Sequence, residues 1–273
     1  LALAPCAWLN YLAEGRLILT SANSGVNFFL GNFRGATGTY AALSPGTQEP
    51  EQQRQDTVRM AATIASLAAE HAISPSELSQ AQASKILWSE SLRQIAAAPS
   101  DWRRLMQRKS RLFWASYEIP DAEGYDVYRR EAGAAFWLPI GFGTLVPLAG
   151  LGTLLALRSA RPGHRQAATG LALATAACFL SVVVFFVFGR YRMVVVPFLL
   201  PLAGYGAVRL VELARRDTLR KFLAAVGVVI VLGIAAHLPV YSSAQRGVMD
   251  SAIYYNLGAA ANRGSIAAFR LDK

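Results

Sequence analysis

Long apolar runs, separated by short polar turns, fill the second half of the chain between residues 134 and 241. Four of them are close to the ~20 residues that an α-helix needs to cross the hydrocarbon core of a bilayer. The predicted spans are Ala134–Leu157, Ala167–Phe188, Met193–Leu213 and Phe222–Val240. Ala167–Phe188 contains no charged residue and therefore gives the clearest signal.

Prolines and glycines indicate how these spans pack. Pro197 and Pro201 lie within Met193–Leu213, where they free backbone groups that neighbouring helices must satisfy, so we expect this span inside a bundle. Six glycines would let helices approach closely, although the ordinary composition of membrane helices explains them equally well. These glycines are Gly141, Gly143, Gly150, Gly152, Gly204 and Gly206.

Residues 47–130 are more polar, and their apolar positions follow helical spacing. The first predicted helix is Pro50–His71. A second begins at Ser74, which forms a capping box with Glu77, and ends near Ala97. A third begins at "APSDW" and ends near "EIPD". The apolar positions that support these helices are Met60, Ile64 and Leu67 in the first, Ile86, Leu87 and Leu92 facing inward in the second, and Trp102, Leu105, Leu112 and Phe113 in the third.

Two short patterns precede this helical part. The stretch "TSANSGVNFFLGNFRGATGTYAALSPG" (Thr20–Gly46) is rich in Gly, Asn, Ser and Thr and predicts a strand or extended loop, with turns at Ser24-Gly25 and Gly31-Asn32. The opening "LALAPCAWLNYL" has no initiator Met and no charged n-region, so it is a poor signal peptide. It is typical of the end of a membrane helix, and we expect the sequence to be a piece of a longer protein.

Together these patterns predict a mostly α-helical, polytopic membrane protein with about four transmembrane helices and an extracytoplasmic helical segment. Residues 1–48 would form the end of a membrane helix and an extracytoplasmic loop, and residues 49–133 the extracytoplasmic helical segment. The transmembrane region would take residues 134–241, followed by an extracytoplasmic tail at 242–273.

The short loops between spans predict the orientation. Two of them are rich in arginine and lysine, and the positive-inside rule assigns both to the cytoplasm. Their basic residues are Arg158, Arg161 and Arg165 in one, and Arg215, Arg216, Arg220 and Lys221 in the other. Arg129 and Arg130, just before the first span, favour the opposite orientation. The prediction is a multi-pass inner (cytoplasmic) membrane protein with residues 1–133 and 242–273 extracytoplasmic.

The composition agrees with a membrane protein. Hydrophobic residues make up 53% of the chain and charged residues only 16%, with a mean hydropathy of +0.31. The net charge of +10 would suit nucleic acid or an anionic membrane. Because no nucleic-acid motif is present and many arginines flank apolar runs, the predicted partner is membrane lipid. Cys178 lies inside an apolar run, which argues against a disulfide framework.

The sequence shows few signs of catalytic chemistry. It contains no nucleophile elbow, P-loop or dinucleotide fingerprint. The three histidines are scattered, so no metal site is predicted and no cofactor is assigned. "EIPDAEGYD" gathers carboxylates that could act in acid–base chemistry, but a solvated turn before the membrane is the favoured interpretation. Its acidic residues are Glu118, Asp121, Glu123 and Asp126.

Four motifs in one order carry a resemblance to a known family. They are "SGVNFFLGNFRGATG" (Ser24–Gly38), "SPSELS" (Ser74–Ser79), "RKSRLFWASYEIPD" (Arg108–Asp121) and "RYRMVVVPFLLPLAGYG" (Arg190–Gly206). Together they resemble the C-terminal half of bacterial dolichyl-phosphate-mannose–protein mannosyltransferase-like proteins, which are multispanning GT-C superfamily glycosyltransferases. The resemblance covers about Ala4 to Tyr241. The final stretch is similar to the first helix of a tetratricopeptide repeat, through Tyr255, Leu257, Gly258 and Gly264.

The resemblance implies an enzyme that takes a sugar from a polyprenyl-phosphate donor on the outer face of the membrane. The sugar would pass, with inversion, to an unidentified protein, lipid or glycan acceptor. The catalytic carboxylate of that family lies in a first outer loop that no position here matches, so no catalytic residue is assigned and the chain alone is expected to be inactive. The alternative is a non-enzymatic, membrane-anchored protein-interaction module with a tetratricopeptide-like tail.

The turn at Arg190, Tyr191 and Arg192 is the candidate site for the phosphate of that lipid donor. A basic turn between two spans lies at the depth where a lipid presents its phosphate. Arginine keeps its charge and can donate two hydrogen bonds to phosphate oxygens. Tyr191 could add a hydroxyl donor. The alternative is that the arginines extend to lipid headgroups as anchors and that the tyrosine belongs to the aromatic belt.

Overall fold

The computed structural model describes residues 4, 8–9, 11–12, 23–39, 61–70, 79–120, 124–131, 141–216 and 219–262. This part of the chain is mostly helical and contains no strand. Its contacts divide it into two compact units. The described residues up to Lys109, with Val184–Phe186, form the first unit, and Ser110–Val183 with the described residues from Val187 onward form the second.

The helices are numbered here in chain order. Those that begin in the first unit are α1 (Ser24–Asn32), α2 (Ala61–Glu70), α3 (Gln80–Ala97) and α4 (Pro99–Trp114). Those of the second unit are α5 (Tyr125–Glu131), α6 (Phe142–Leu157), α7 (Pro162–Val183), α8 (Gly189–Arg192), α9 (Val196–Arg216), α10 (Leu219–His237) and α11 (Ser243–Asn262). A 3-10 turn at Met193–Val195 joins α8 to α9.

Three helices in the described residues are long and apolar enough to cross a membrane: α7, the continuous run Gly189–Arg215, and α10. They agree in length and composition with three of the predicted spans, with shifted bounds. The helix predicted at Ala167–Phe188 begins earlier, at Pro162, and ends at Val183. The fourth prediction, Ala134–Leu157, is described only as the shorter helix α6, and its first residues lie outside the described part.

Many large apolar side chains on these helices are exposed. In α10, only 11% of the most apolar stretch is buried. An exposed apolar surface of this extent is unusual in a water-soluble monomer and marks contact with lipid or another apolar partner. The exposed side chains include Leu173, Leu180, Leu200, Val208, Ile230, Val231 and Ile234. The architecture is therefore that of a helical membrane protein.

The core of the first unit joins α1, α2 and α3. Phe29, Leu67, Ile86 and Leu87 are buried together, and Ile64 packs against them. This confirms Ile86 and Leu87 as inward positions and places Ile64 and Leu67 in the same core. The predicted helix Pro50–His71 is described only from Ala61, so Met60 lies outside the described residues. Leu92, which was expected to face inward, is 49% exposed.

Helix α3 begins later than the sequence predicts. Ser79 has an extended backbone, and its hydroxyl accepts a hydrogen bond from the Gln82 backbone N–H at 3.3 Å. The Gln82 side chain in turn accepts from the Ser79 N–H at 2.9 Å, which completes a capping box. The predicted box at Ser74 lies outside the described residues.

The strand or loop predicted for Thr20–Gly46 is wrong for Ser24–Asn32, which form α1, and its ends at residues 20–22 and 40–46 lie outside the described residues. The glycines there serve helix packing instead of turns. A Cβ at Gly25 would lie 1.8 Å from the Ser84 carbonyl oxygen, and one at Gly31 would lie 1.9 Å from that of Phe185. Only glycine allows the backbone of α1 to approach these neighbours so closely.

In the second unit, α6 crosses α9 through two glycines. A Cβ at Gly152 would lie 1.8 Å from the Leu202 carbonyl oxygen, and one at Gly206 would lie 2.3 Å from that of Leu148. The two glycines also face each other, since a Cβ at either would lie 2.9 Å from the backbone nitrogen of the other. By contrast, Gly204 has open space where its Cβ would be. Close packing between small residues therefore holds this pair of helices together.

Candidate functional site

The two arginines of the predicted phosphate site have different environments. Arg192 is completely buried, with no exposed side-chain surface. Its guanidinium lies 4.5 Å above the ring centre of Phe142. Arg190, two residues earlier, is exposed. The sequence could not separate these roles, because both arginines belong to the same short turn.

Protein groups surround the guanidinium of Arg192. Its Nη1 donates to the backbone carbonyl oxygens of Leu112, Phe113 and Ala115, at 3.1, 3.0 and 2.6 Å. Its Nη2 donates to the Tyr117 carbonyl oxygen at 3.0 Å. The same nitrogen lies 2.6 Å from the Glu118 carboxylate. The buried guanidinium is thus directed to backbone carbonyl groups and to a carboxylate of the protein.

This arrangement caps the end of α4. The last carbonyl groups of a helix have no partner within that helix, and they carry its partial negative charge. Leu112 and Phe113 lie in the last turn of α4, and Ala115 follows it. Arg192 supplies donors and a positive charge to all three. The cap comes from a turn about 80 residues away in sequence, so it ties the end of α4 to the start of a membrane-length helix.

The segment after α4 is fixed on both sides of this cap. The Ser116 N–H donates to the Ala236 carbonyl oxygen at 2.7 Å, and the Gly189 N–H donates to that of Ile119 at 2.9 Å. A Cβ at Gly189 would lie 2.9 Å from a carboxylate oxygen of Glu118. Residues 115–120 are therefore attached to α8 and α10 as well as to Arg192.

Glu118 is not a solvated residue, which corrects the interpretation of "EIPDAEGYD" at this position. It is buried, with 8% of its surface exposed, and it pairs with Arg192. Burial raises the pKa of its carboxyl above the ordinary value, and the charge of Arg192 acts in the opposite direction. Burial also raises the pKa of Asp126, with a further contribution from Asp250. Residues 121–123 lie outside the described part of the chain.

Arg190 and Tyr191 lie together at the surface. The Nη2 of Arg190 donates to the Tyr191 hydroxyl at 3.1 Å, and its guanidinium lies 5.0 Å from the centre of the tyrosine ring. Tyr191 is 37% exposed, and its ring lies 5.9 Å from that of Phe188. An exposed cation and a phenol therefore occupy the first turn of the helix Gly189–Arg215.

The first unit contains a buried cation that the sequence reasoning missed. Lys109 has no exposed surface, and its ammonium group donates to Asn32 Oδ1 at 3.1 Å and to the Phe185 carbonyl oxygen at 2.6 Å. Asn32 also accepts from the Trp102 indole at 3.2 Å and donates to the Val184 carbonyl oxygen at 2.8 Å. Lys109 and Asn32 thus join α4, the end of α1 and the segment 184–186.

The position of Lys109 along α4 could have indicated that it is buried. Lys109 is four residues after Leu105 and three before Leu112, so it falls on the apolar stripe of the helix. A single lysine on such a stripe is expected to be buried and hydrogen-bonded. No carboxylate pairs with it among the ion pairs of the described residues.

The stability of the chain is expected to increase as the pH rises above about 7 toward 10.5, the interval between the pKa of Lys109 when folded and its ordinary value. Burial lowers the folded pKa because the charged ammonium is removed from water. Within this interval the unfolded chain binds a proton that the folded chain has released, so the free energy of unfolding rises with pH. Thermal unfolding of the purified chain in a neutral detergent, at several pH values, measures this slope.

Lys109→Met is the matched control for this titration. Methionine keeps an unbranched side chain on the apolar stripe but cannot bind a proton. The slope in the same pH interval should be smaller in the variant. Equal slopes in both proteins would show that the dependence comes from other groups.

The predicted tetratricopeptide-like tail is described as far as Asn262. It forms one helix, α11, whose Asp250 pairs with Arg130 at 2.6 Å. Met249 accepts a contact from the Tyr117 hydroxyl at 3.8 Å. Gly264, part of the predicted repeat pattern, lies outside the described residues.

Fold and site together define a class of protein: a helical membrane protein with a buried Arg192–Glu118 pair and an exposed Arg190–Tyr191 pair. Comparison of the chain with family models, with curated proteins and with solved structures finds no significant match.

Proposed function

We propose that this chain is the C-terminal portion of a membrane glycosyltransferase. The enzyme would transfer a sugar from a polyprenyl-phosphate-linked donor to a protein, lipid or glycan acceptor on the outer face of the membrane. In this proposal Arg190 and Tyr191 bind the phosphate of the donor. The chain supplies donor-binding and membrane parts, while the catalytic carboxylate belongs to the rest of the enzyme.

The observation that carries the proposal is the exposed Arg190–Tyr191 pair at the first turn of a membrane-length helix. The end of such a helix lies near the lipid headgroups, where a polyprenyl phosphate also places its charge. The guanidinium is held beside the tyrosine hydroxyl, so both could donate to phosphate oxygens with little reordering. The resemblance of the motif around these residues to a family that uses polyprenyl-phosphate sugars supports the same assignment.

Arg192 enters the proposal as a positioning residue. Because its guanidinium is buried against α4 and Glu118, it holds the turn that carries Arg190 and Tyr191. The predicted set was Arg190, Tyr191 and Arg192. In this proposal only the first two contact the phosphate.

Arg190→Ala is expected to weaken binding of a long-chain polyprenyl phosphate about tenfold or more, because a charged hydrogen-bond donor to the phosphate is lost. The binding of a radiolabelled polyprenyl phosphate to the purified chain in neutral-lipid nanodiscs measures this effect. Arg190→Lys keeps the charge but loses the two-pronged contact, so an intermediate affinity is expected. In the intact enzyme, the apparent KM for the donor should rise strongly in Arg190→Ala while expression stays unchanged.

The control variant is Arg158→Ala, which removes an exposed arginine after α6 at a different turn. It should leave polyprenyl-phosphate binding unchanged. Equal losses in both variants would indicate a general attraction of the basic surface for anionic lipid. No loss in Arg190→Ala would show that Arg190 is only an anchor, and the proposed site would be wrong.

A protein-interaction module is the second candidate function. The C-terminal half of α11 exposes two aromatic side chains, Tyr254 at 44% and Tyr255 at 54%. Exposed aromatics of this kind are enriched in protein interfaces. This function does not require binding of a polyprenyl phosphate, so a wild-type chain that fails to bind one would favour it.

A further inference from the structure

A groove with a volume of 270 Å³ lies on the first unit, lined by the turn that follows α1, the end of α3 and residues of α4. Three arginines line it, together with one carboxylate and several apolar side chains. The arginines are Arg34, Arg104 and Arg108, and the carboxylate is Asp101. None of these residues belongs to the Arg190–Tyr191 pair described above.

The charges of the groove do not balance. Asp101 pairs with Arg104 within α4. Arg34 and Arg108 are exposed, and no carboxylate pairs with their guanidinium groups among the ion pairs of the described residues. Two cations therefore remain available to an anionic ligand in a concave site. Arginine suits this role because its planar group matches the oxygens of a phosphate.

The turn that presents Arg34 is fixed by its own hydrogen bonds. The Ala36 N–H donates to the Phe33 carbonyl oxygen at 2.9 Å, and Gly35 has φ of +104°, a conformation that favours glycine. The Arg34 backbone N–H donates to Gln94 Oε1 at 2.8 Å, which attaches the turn to α3. These contacts fix the backbone of Arg34 beside the groove.

The walls of the groove are largely apolar. Phe33 and Ile95 contribute from the turn and from α3, and Trp102 and Leu105 contribute from α4. The Trp102 ring is fixed by its bond to Asn32. A ligand that fits this lining has an anionic group beside an apolar portion.

We propose that the groove binds a phosphate group carried next to an apolar portion, with Arg34 and Arg108 donating to the phosphate oxygens. This site lies within the first unit and does not depend on the proposed function. The phosphate can belong to a lipid or to a water-soluble molecule, since the same contacts recognise both.

The test uses the whole purified chain in a neutral, phosphate-free detergent, with phenyl phosphate as the probe and isothermal titration calorimetry as the measurement. Arg34→Ala and Arg108→Ala should each weaken binding about tenfold, as expected for the loss of a charged hydrogen bond. Phenol lacks the anion and should bind far more weakly. Inorganic phosphate lacks the apolar portion and should also bind more weakly.

Arg103→Ala is the matched control, because Arg103 is exposed on the same helix but does not line the groove. It should leave the affinity for phenyl phosphate unchanged. Arg158→Ala removes an exposed arginine that belongs to neither proposed site, and it should leave this affinity unchanged too. Arg34→Lys keeps the positive charge and should therefore bind more tightly than Arg34→Ala. Unchanged far-UV circular dichroism spectra of the variants would exclude misfolding as the cause of a loss of binding.

Competition identifies the source of the phosphate. If phosphatidic acid in the detergent displaces phenyl phosphate in an Arg34-dependent manner, the natural ligand is a lipid; if it does not, the ligand is water-soluble. The proposal is overturned if the wild-type chain does not bind phenyl phosphate. It is also overturned if Arg103→Ala reduces affinity as much as Arg34→Ala, because the basic face of α4 would then act as a general surface for anions.

Discussion

Arg192→Ala is expected to destabilise the second unit by roughly 3–5 kcal/mol, the range typical of removing one partner of a buried ion pair. The variant leaves the carboxylate of Glu118 buried without its cation. It also removes the donors from the carbonyl groups of Leu112, Phe113 and Ala115. Each unpaired polar group in the interior adds a desolvation cost. The thermal midpoint of the purified chain in neutral detergent measures the loss.

Two further variants separate the ion pair from the cap. Glu118→Gln removes the carboxylate charge but keeps the shape of the side chain, so it should destabilise less than Arg192→Ala. Arg192→Lys keeps the charge but loses the planar group that donates to several carbonyls at once. We expect it to recover only part of the stability. If Arg192→Lys were as stable as the wild type, charge alone would account for the residue and the cap would be unimportant.

Arg190→Ala is the control for this stability measurement. Arg190 lies in the same turn as Arg192 but is exposed. Its replacement should leave the thermal midpoint unchanged. A large drop in the thermal midpoint of both variants would mean that any replacement in this turn is destabilising. The specific role assigned to Arg192 would then be wrong.

Sequence pattern was sufficient to locate the membrane-length helices. Their apolar runs have about the length that a helix needs to cross a bilayer, and such a run is visible in consecutive residues of the sequence. The bounds shifted because the ends depend on local backbone geometry that hydropathy does not contain. For example, Phe188 is apolar and was assigned to a span, yet it has an extended backbone and precedes α8.

Helix α1 shows where local signals fail. Glycine and asparagine are frequent in turns, so Gly25 and Gly31 predicted a loop. In the structure the same glycines permit backbone contacts with Ser84 and Phe185, which are distant in sequence. The choice between a turn glycine and a packing glycine therefore depended on partners that a single sequence does not identify.

The two buried cations differ in whether their burial could be predicted from the sequence. Lys109 could have been identified, because its position on the apolar stripe of α4 is visible in the sequence. Arg192 could not, because its partners at residues 112–118 come together with it only in the folded chain. The predicted phosphate site therefore combined one buried and one exposed arginine.

Gly206→Ala is expected to disrupt the crossing of α6 and α9, whereas Gly204→Ala is not. A Cβ at Gly206 would lie 2.3 Å from the Leu148 carbonyl oxygen and 2.9 Å from the Gly152 nitrogen, and both are backbone atoms that cannot rotate away. The two helices would have to separate, at a cost of at least the ~1–3 kcal/mol typical of overpacking. The thermal midpoint of each variant in neutral detergent measures the difference.

Gly204→Ala makes this comparison within one helix. Its Cβ would meet open space, and alanine is up to about 1 kcal/mol more favourable than glycine inside a helix. The midpoint should stay the same or rise slightly. The sequence did not separate close approach from ordinary membrane-helix composition at either glycine, so opposite results in the two variants would show that Gly206, and not Gly204, lies in the contact. Equal results in both would contradict the packing of α6 against α9, and with it the arrangement that supports the second unit.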